Sequence, residues 1–218
     1  MGIVQRRIPD VVIRRLSIYS RVLSDIIDKS IHLISSNELG KLSGIPGTLV
    51  RKDLAYFGQM GIRGVGYRIS DLKSNILKIL GIDRRWNVAI VGIGNLGAAL
   101  LSHERFSIRG FDIILGFDAD KSKIGQIIHG IEIKDITEVK SAIKEKDVKL
   151  GIIAVPAHSA QVVATLLVDA GIKAILNFAP ANLNTPKNII LKNIDLSIEL
   201  EGLSFLLTHK DFQIERYL

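Results

Sequence analysis

Apolar residues recur at helical spacing through the first eighty positions, then in short β-branched runs that alternate with helical stretches. Val12, Leu16, Tyr19, Leu23 and Ile26 stand 4, 3, 4 and 3 apart, which is one stripe of a helix opened by Pro9 and Asp10. Arg14, Arg15 and Arg21 fall largely off that stripe. Ser35 and Glu38 have capping-box spacing, with Ser36 as an alternative cap, ahead of a short helix over residues 37–42. Ser43, Gly44, Pro46 and Gly47 break it. A third helix then runs over residues 48–57 with Val50, Leu54 and Phe57 inward. Gly58, Gly61, Gly64 and Gly66 suit a tight hairpin, because glycine accepts positive φ. A fourth helix over residues 71–80 places Leu72, Ile76 and Ile79 on one face.

From Trp86 the texture changes. Strands are expected over residues 88–91, 113–117, 131–133, 149–155, 174–178 and 194–200, with helices over 98–104, 137–145 and 159–170. Residues 202–218 read as a closing helix, apolar over a wide arc. Such a helix most commonly covers its own sheet; the alternative is packing on a second subunit. The fold class is therefore α/β: an N-terminal winged helix-turn-helix over residues 1–82, a charged linker, a Rossmann-type doubly wound parallel sheet over residues 86–201, and a C-terminal helix over 202–218.

Charge sharpens the division. Residues 1–85 carry 15 Lys+Arg against 7 Asp+Glu, whereas residues 86–218 carry 14 against 15. All of the formal charge of +7 thus lies in the helical segment. A basic segment of this kind attracts a polyanion, and phosphate neutralisation is the main affinity term for nucleic acid; a surface that only aids solubility is the plainer reading. The second helix of the pair would be the recognition helix, with Thr48, Arg51, Lys52 and Tyr56 outward. Arginine and lysine bond guanine edges or phosphates, and threonine and tyrosine bond phosphates. Arg63 sits at or beside the hairpin tip, where a narrow minor groove would attract it.

Composition excludes other classes. With 47% hydrophobic and 23% charged residues, the 218-residue chain is an ordinary globular sequence. It has no cysteine, which removes disulfides and thiolate metal sites and fits a cytoplasmic protein. No run of about 18 apolar residues is present, so no membrane helix is expected.

The sharpest motif is Gly92-Ile93-Gly94-Asn95-Leu96-Gly97, which follows a strand and opens a helix, with Asp118 at the end of the next strand. This is the full dinucleotide fingerprint. Gly92 permits the turn, Gly94 lets backbone approach a pyrophosphate, and Gly97 permits close helix–strand packing. Asp118 would accept bonds from the ribose hydroxyls and repel a 2′-phosphate, favouring NAD(H), an exclusion that Lys121 and Lys123 soften slightly. Ligands bind beyond strand C-termini, which adds Val155, Pro156, Asn177, Phe178 and Pro180 to the expected cofactor site. Among the histidines only His158 falls near such a site, and a single histidine without a partner carboxylate or arginine is a poor catalytic constellation. No metal-ligand spacing is found. The chain is expected to be no enzyme, with a small NAD-dependent oxidoreductase carrying a basic accessory domain as the alternative.

The chain also resembles the Rex family of redox-sensing transcriptional repressors over almost its full length. The resemblance rests on Val50-Arg-Lys-Asp-Leu-Ala-Tyr-Phe-Gly58, Gly61-Ile-Arg-Gly-Val-Gly-Tyr67, the glycine fingerprint, Leu176-Asn-Phe-Ala-Pro180 and Asn193-Ile-Asp195. It implies a homodimer that binds an inverted-repeat operator when NADH is low and releases it when NADH closes the dimer. It implies a domain-swapped C-terminal helix. It further implies that Arg51 and Lys52 read the major groove, that Arg63 reads the minor groove, and that Tyr67 belongs to the DNA-facing wing. The family's interdomain switch would fall on Arg21 and Asp195. A tyrosine often found in that network stands here as His103.

Overall fold

The computed structural model describes residues 8–27, 32–62 and 64–209. The chain forms two compact units that divide between Arg84 and Arg85, inside the expected charged linker.

The first unit contains α1 (Asp10–Ile26), β1 (Leu33–Ile34), α2 (Ser36–Ser43), α3 (Gly47–Ala55), β2 (Tyr67–Arg68) and α4 (Ile69–Leu80). All five stripe residues of α1 are buried, and Leu16, Tyr19, Leu23 and Ile26 meet Leu39, Val50, Leu54, Leu72 and Ile76 in one core. The capping box that starts α2 is closed in both directions: the Glu38 amide donates to Ser35 Oγ at 3.1 Å and the Ser35 amide donates to the Glu38 carboxylate at 2.8 Å. β1 pairs antiparallel with β2, and a single bridge joins Ile62 to Gly66. Together these make a small wing beside α2 and α3. Gly66 has φ +109°, and a Cβ there would stand 2.6 Å from the Ile34 carbonyl oxygen, so only glycine closes the wing.

One side chain departs from the expected pattern. Arg15 is only 7% exposed. Its Nε and Nη2 donate to the two carboxylate oxygens of Asp53 on α3 at 2.7 and 2.6 Å, and Tyr19 Oη donates to the same carboxylate at 2.8 Å. The helical stripe is wider than its apolar members, because a buried arginine is tolerated once a carboxylate meets it.

The second unit is built on a seven-stranded sheet. Its strands are β3 (Trp86–Val91), β4 (Phe111–Asp118), β5 (Ile127–Ile128), β6 (Ile131–Asp135), β7 (Leu150–Ile153), β8 (Ala174–Asn177) and β9 (Ile190–Asn193). Their order is β5-β6-β4-β3-β7-β8-β9, parallel throughout except for the β5–β6 hairpin. The helices are α5 (Asn95–Leu101), α6 (Arg105–Ile108), α7 (Val139–Glu145), α8 (Ala157–Asp169) and α9 (Leu196–Thr208). Along β3, Ala89 and Val91 point into the core beneath α7 and α8, whereas Val88 and Ile90 point into the core beneath α5. That alternation, apolar on both faces, is the signature of a doubly covered sheet.

Four expectations need correction. The helix after the glycine motif starts at Asn95 rather than at residue 98, because Gly94 is already its N-cap and the Ala98 amide bonds the Gly94 carbonyl at 2.9 Å. The last strand is β9, not residues 194–200. Asp195 caps α9 by accepting from the Ser197 amide at 2.9 Å, so the chain turns helical where an apolar run suggested a strand. The boundary placed between residues 201 and 202 therefore falls inside α9. Nor does α9 cover its own sheet: none of its residues is buried, and Leu196, Ile198, Leu200, Leu203, Phe205 and Leu207 are each 42% exposed or more. Residues 210–218 of the expected helix lie outside the described residues.

Arg15→Met is expected to destabilise the first unit by about 3–5 kcal/mol, because it strands a buried carboxylate. Urea denaturation followed by circular dichroism checks this. A loss under about 1 kcal/mol would show that Asp53 finds other partners.

Candidate functional site

The chain leaves β3 toward β4 on one side and enters β8 from β7 on the other, so the strand order reverses between β3 and β7. A crevice opens beyond the C-terminal ends of strands at such a point. Residues 92–97 form its β3 side. Gly92 has φ +93°, and a Cβ there would lie 2.6 Å from the Ala154 carbonyl oxygen and 2.7 Å from Val155 Cγ1. A Cβ on Gly97 would lie 1.9 Å from the Gly92 carbonyl oxygen. Gly94 is exposed, and a Cβ there would meet nothing within 4 Å. Two glycines are thus required by the protein itself. The third faces open space and is needed only if something else occupies that space. Asn95 and Leu96 are exposed on the first turn of α5, where amides have no partner within the helix.

Ile93 plays a different part from its neighbours. Its side chain is buried in the core beneath α5, and its amide donates to Asp118 Oδ2 at 2.8 Å. Asp118 also accepts from the Asp120 amide at 2.9 Å and from Lys123 Nζ at 3.1 Å. Burial pushes its carboxyl up, but the Asp120 and Ile93 amides and the Lys123 ammonium outweigh that and hold it below the ordinary aspartate value. One acceptor position, on Oδ1, is left over. Asp118 therefore clamps the glycine turn with one acceptor position still open, and Lys123 offsets its charge.

Val155 and Phe178 are half-buried, and Pro156 and Pro180 are exposed, at the ends of β7 and β8. Asn177, at the end of β8, turns its side chain into the protein. It is fully buried; its Nδ2 donates to Ala179 O, Ala181 O and Asn193 Oδ1, and its Oδ1 accepts from the Ala179 amide. Its amide is consumed in shaping residues 178–181, the task of a buried polar side chain that must satisfy itself.

In the first unit, Thr48, Arg51 and Lys52 are exposed on α3, and Tyr56 is half-buried at its C-cap. Arg51 Nη1 donates to Ser36 Oγ at 2.6 Å, so the guanidinium is held against the start of α2. Tyr67 is half-buried on β2. Burial raises its phenol pKa, and the Arg51 charge pulls the other way. Its ring lies where a Cβ on Gly61 would be 2.6 Å from it. Arg63 lies outside the described residues. Of the switch residues, Arg21 is exposed on α1 of the first unit, whereas His103 and Asp195 are exposed in the second. Sequence reading missed Ser36 as the partner of Arg51, and it missed Asp53. The signal for Asp53 was present: it stands three residues after Val50 and beside Leu54, on the inward face of α3.

Comparison with known proteins follows the same division. A family described as "CoA binding domain" matches residues 83–181, and one described as "Putative DNA-binding protein N-terminus" matches residues 7–55. The chain is 47% identical to the redox-sensing transcriptional repressor Rex of Syntrophomonas wolfei, over 92% of this chain and 96% of that one. It is 48% identical to the protein of the same name from Carboxydothermus hydrogenoformans, over 91% and 96%. Among solved structures, RSP in complex with β-NAD+ and operator DNA matches with TM-score 0.89 and 37% identity, over 95% of each chain. RSP in complex with β-NADH matches with TM-score 0.83 and 35% identity, over 95% of this chain and 97% of that one.

Two substitutions separate the glycines. Gly97→Ala is expected to cost about 1–3 kcal/mol by overpacking, whereas Gly94→Val is expected to stay within about 0.5 kcal/mol of the wild type; thermal melts compare them, and equal losses would contradict the open position at Gly94. A third expectation concerns pH. A depressed carboxyl contributes stability that is present above its unfolded value and lost as pH falls through its folded value. The advantage of the wild type over Asp118→Asn should therefore be flat from about pH 8 to pH 5 and shrink only below 3.8, the ordinary aspartate value. Urea denaturation across that range measures it, and a decline that begins near neutrality would refute the assignment.

Proposed function

The chain belongs to the Rex family of redox-sensing transcriptional repressors, and from that premise we propose how its two units divide the work. The protein is an NAD(H)-sensing DNA-binding repressor, like the relatives that bear that name. The oxidoreductase alternative is set aside because those relatives are named repressors. The observation that carries the division is that one chain joins a closed glycine turn with one open position to a basic, exposed helix α3.

In this reading the crevice between β3 and β7 takes the dinucleotide. Gly94 leaves room for the pyrophosphate, the first amides of α5 face it, and Asp118 accepts from the adenosine ribose through its remaining oxygen position. Lys123 limits how strongly Asp118 repels a 2′-phosphate. Val155, Pro156, Phe178 and Pro180 supply apolar surface at the far end, and an apolar surround disfavours the charged ring of NAD+ relative to NADH. Ile93 and Asn177 act by holding the site's shape.

Thr48, Arg51, Lys52 and Tyr56 would face the major groove of an inverted-repeat operator, with Tyr67 on the wing, and Arg63 is proposed to read the minor groove. A two-fold operator calls for a two-fold dimer with recognition helices about 34–36 Å apart. The bare apolar surface of α9 supports a homodimer in which that helix packs on the partner. Arg21, Asp195 and His103 are the proposed interdomain switch. The proposed setting is the cytoplasm; among the described residues no helix is long and apolar enough to cross a membrane.

The test is fluorescence anisotropy on a labelled duplex carrying a Rex-type inverted repeat, at fixed salt, titrated with NADH and then NAD+. Release by NADH, with NAD+ much weaker, is the expected result. Gly94→Val should stay on the duplex and ignore NADH, while Arg51→Ala with Lys52→Ala should lose the duplex and still bind NADH. If Gly94→Val still left DNA on NADH addition, the crevice assignment would be wrong.

A further inference from the structure

A recognition helix must be held in rotation as well as in place, because a turn of a few tens of degrees about its axis points its reading side chains elsewhere. Apolar packing does this poorly. Val50 and Leu54 anchor α3 in the core, but burial of apolar surface is non-directional. Hydrogen bonds to a fixed carboxylate are directional. Asp53 lies directly between Lys52 and Leu54 and is 1% exposed. From α1, the Arg15 guanidinium meets both of its oxygens in a two-pronged contact, and Tyr19 Oη meets Oδ2 as well. All three groups belong to the first unit.

The cluster also settles a charge problem. A free carboxylate on a phosphate-facing helix would repel DNA and draw the neighbouring cations onto itself. Asp53 is next to Lys52 and two residues from Arg51. Its charge is answered from behind by Arg15, and Arg51 is held instead by Ser36 Oγ at 2.6 Å and lies within 3.5 Å of Asn37 Oδ1. The helix is thus bonded from α1 through Asp53 and from α2 through Arg51, on opposite sides of Lys52.

We propose that Arg15 and Tyr19 are positioning residues for operator recognition: through Asp53 they fix the rotation of α3 and keep its carboxylate from competing for Arg51 and Lys52. The proposal rests on the reading of α3 as the DNA-reading helix. It assigns to two core residues of α1 an effect on sequence discrimination, beyond their effect on stability.

Tyr19→Phe is the decisive variant, since it keeps the ring in the core and removes one bond to Asp53. Anisotropy with the full chain would compare the inverted-repeat duplex with a scrambled duplex of equal length, across a salt series. The expected result is cooperative unfolding, wild-type NADH affinity and unchanged affinity and salt slope on the scrambled duplex. Affinity for the inverted repeat should fall about tenfold, because a helix free to rock must be ordered upon binding. Arg15→Lys keeps the buried charge but loses the two-pronged geometry, and should lower the same ratio. A folded variant whose ratio of inverted-repeat to scrambled affinity stays within about twofold of the wild type overturns the proposal, as does equal loss on both duplexes. If neither variant folds, the cluster is a stability element and the proposal falls. Arg51→Ala with Lys52→Ala is measured alongside. If that pair loses nothing on the inverted repeat, it is the reading of α3 that has failed, and not the positioning.

Discussion

A side chain at Gly97 would force the backbone of the glycine turn to move. The backbone of α5 passes so close to the turn at Gly92 that even a methyl group would stand 1.9 Å from a carbonyl oxygen. The crevice depends on that close approach. It seats α5 at the end of β3 and leaves Gly94 as the one glycine of the motif facing outward. Asp118 completes the arrangement from the next strand by taking the Ile93 amide. A turn that was merely glycine-rich would be loose. This one is pinned by two backbone contacts and a buried carboxylate, so its shape is set before any ligand arrives, and little ordering has to be done on binding.

The first unit solves a similar problem with a different device. Its core is apolar and α3 is only 9 residues long, so apolar packing alone leaves α3 underdetermined. A buried carboxylate, held by an arginine and a tyrosine from α1, supplies the direction that packing lacks. Buried ion pairs are weak evidence for stability, because desolvation offsets much of their attraction. Their geometry, though, is specific. In both units, then, an inward-facing aspartate bonds the element that carries exposed residues: Asp118 the glycine turn, Asp53 the helix α3.

Much of this was legible in the sequence, and the failures have physical causes. Val12 to Ile26 gave α1 because a helix against one core repeats its apolar face, and Gly92 to Asp118 gave the strand, the glycine turn, the helix and the acid beside them because each has its own signature. Arg15 was misplaced since spacing alone cannot distinguish a charged residue at the edge of a stripe from one on the solvent side; the answer lay thirty-eight positions away at Asp53. The apolar run after Ile194 read as a strand because short apolar runs carry no periodicity that separates strand from buried helix. What decided it was Asp195, whose side chain caps the helix. The hairpin strand β5 spans two residues and left no pattern at all. The internal bonds of Asn177 left no trace in the sequence, because its partners at Ala179, Ala181 and Asn193 are set by the turn after β8.

The exposed face of α9 carries the argument to its last step. Six large apolar side chains on one thirteen-residue helix, none of them buried, are more than a lone surface helix is expected to show to water. If a second copy covers them, the sensor has two nucleotide crevices and one operator. A ligand acts on DNA affinity only through its different affinity for the two dimer arrangements, and the coupling is reciprocal, so operator must weaken NADH binding by the same factor. A typical coupling of about 1–3 kcal/mol moves affinity only ~5–150-fold. Two equivalent crevices coupled to one operator multiply that factor. Two-fold symmetry then serves the sensor twice, once in matching the half-sites and once in turning a modest effect at each crevice into an effective release.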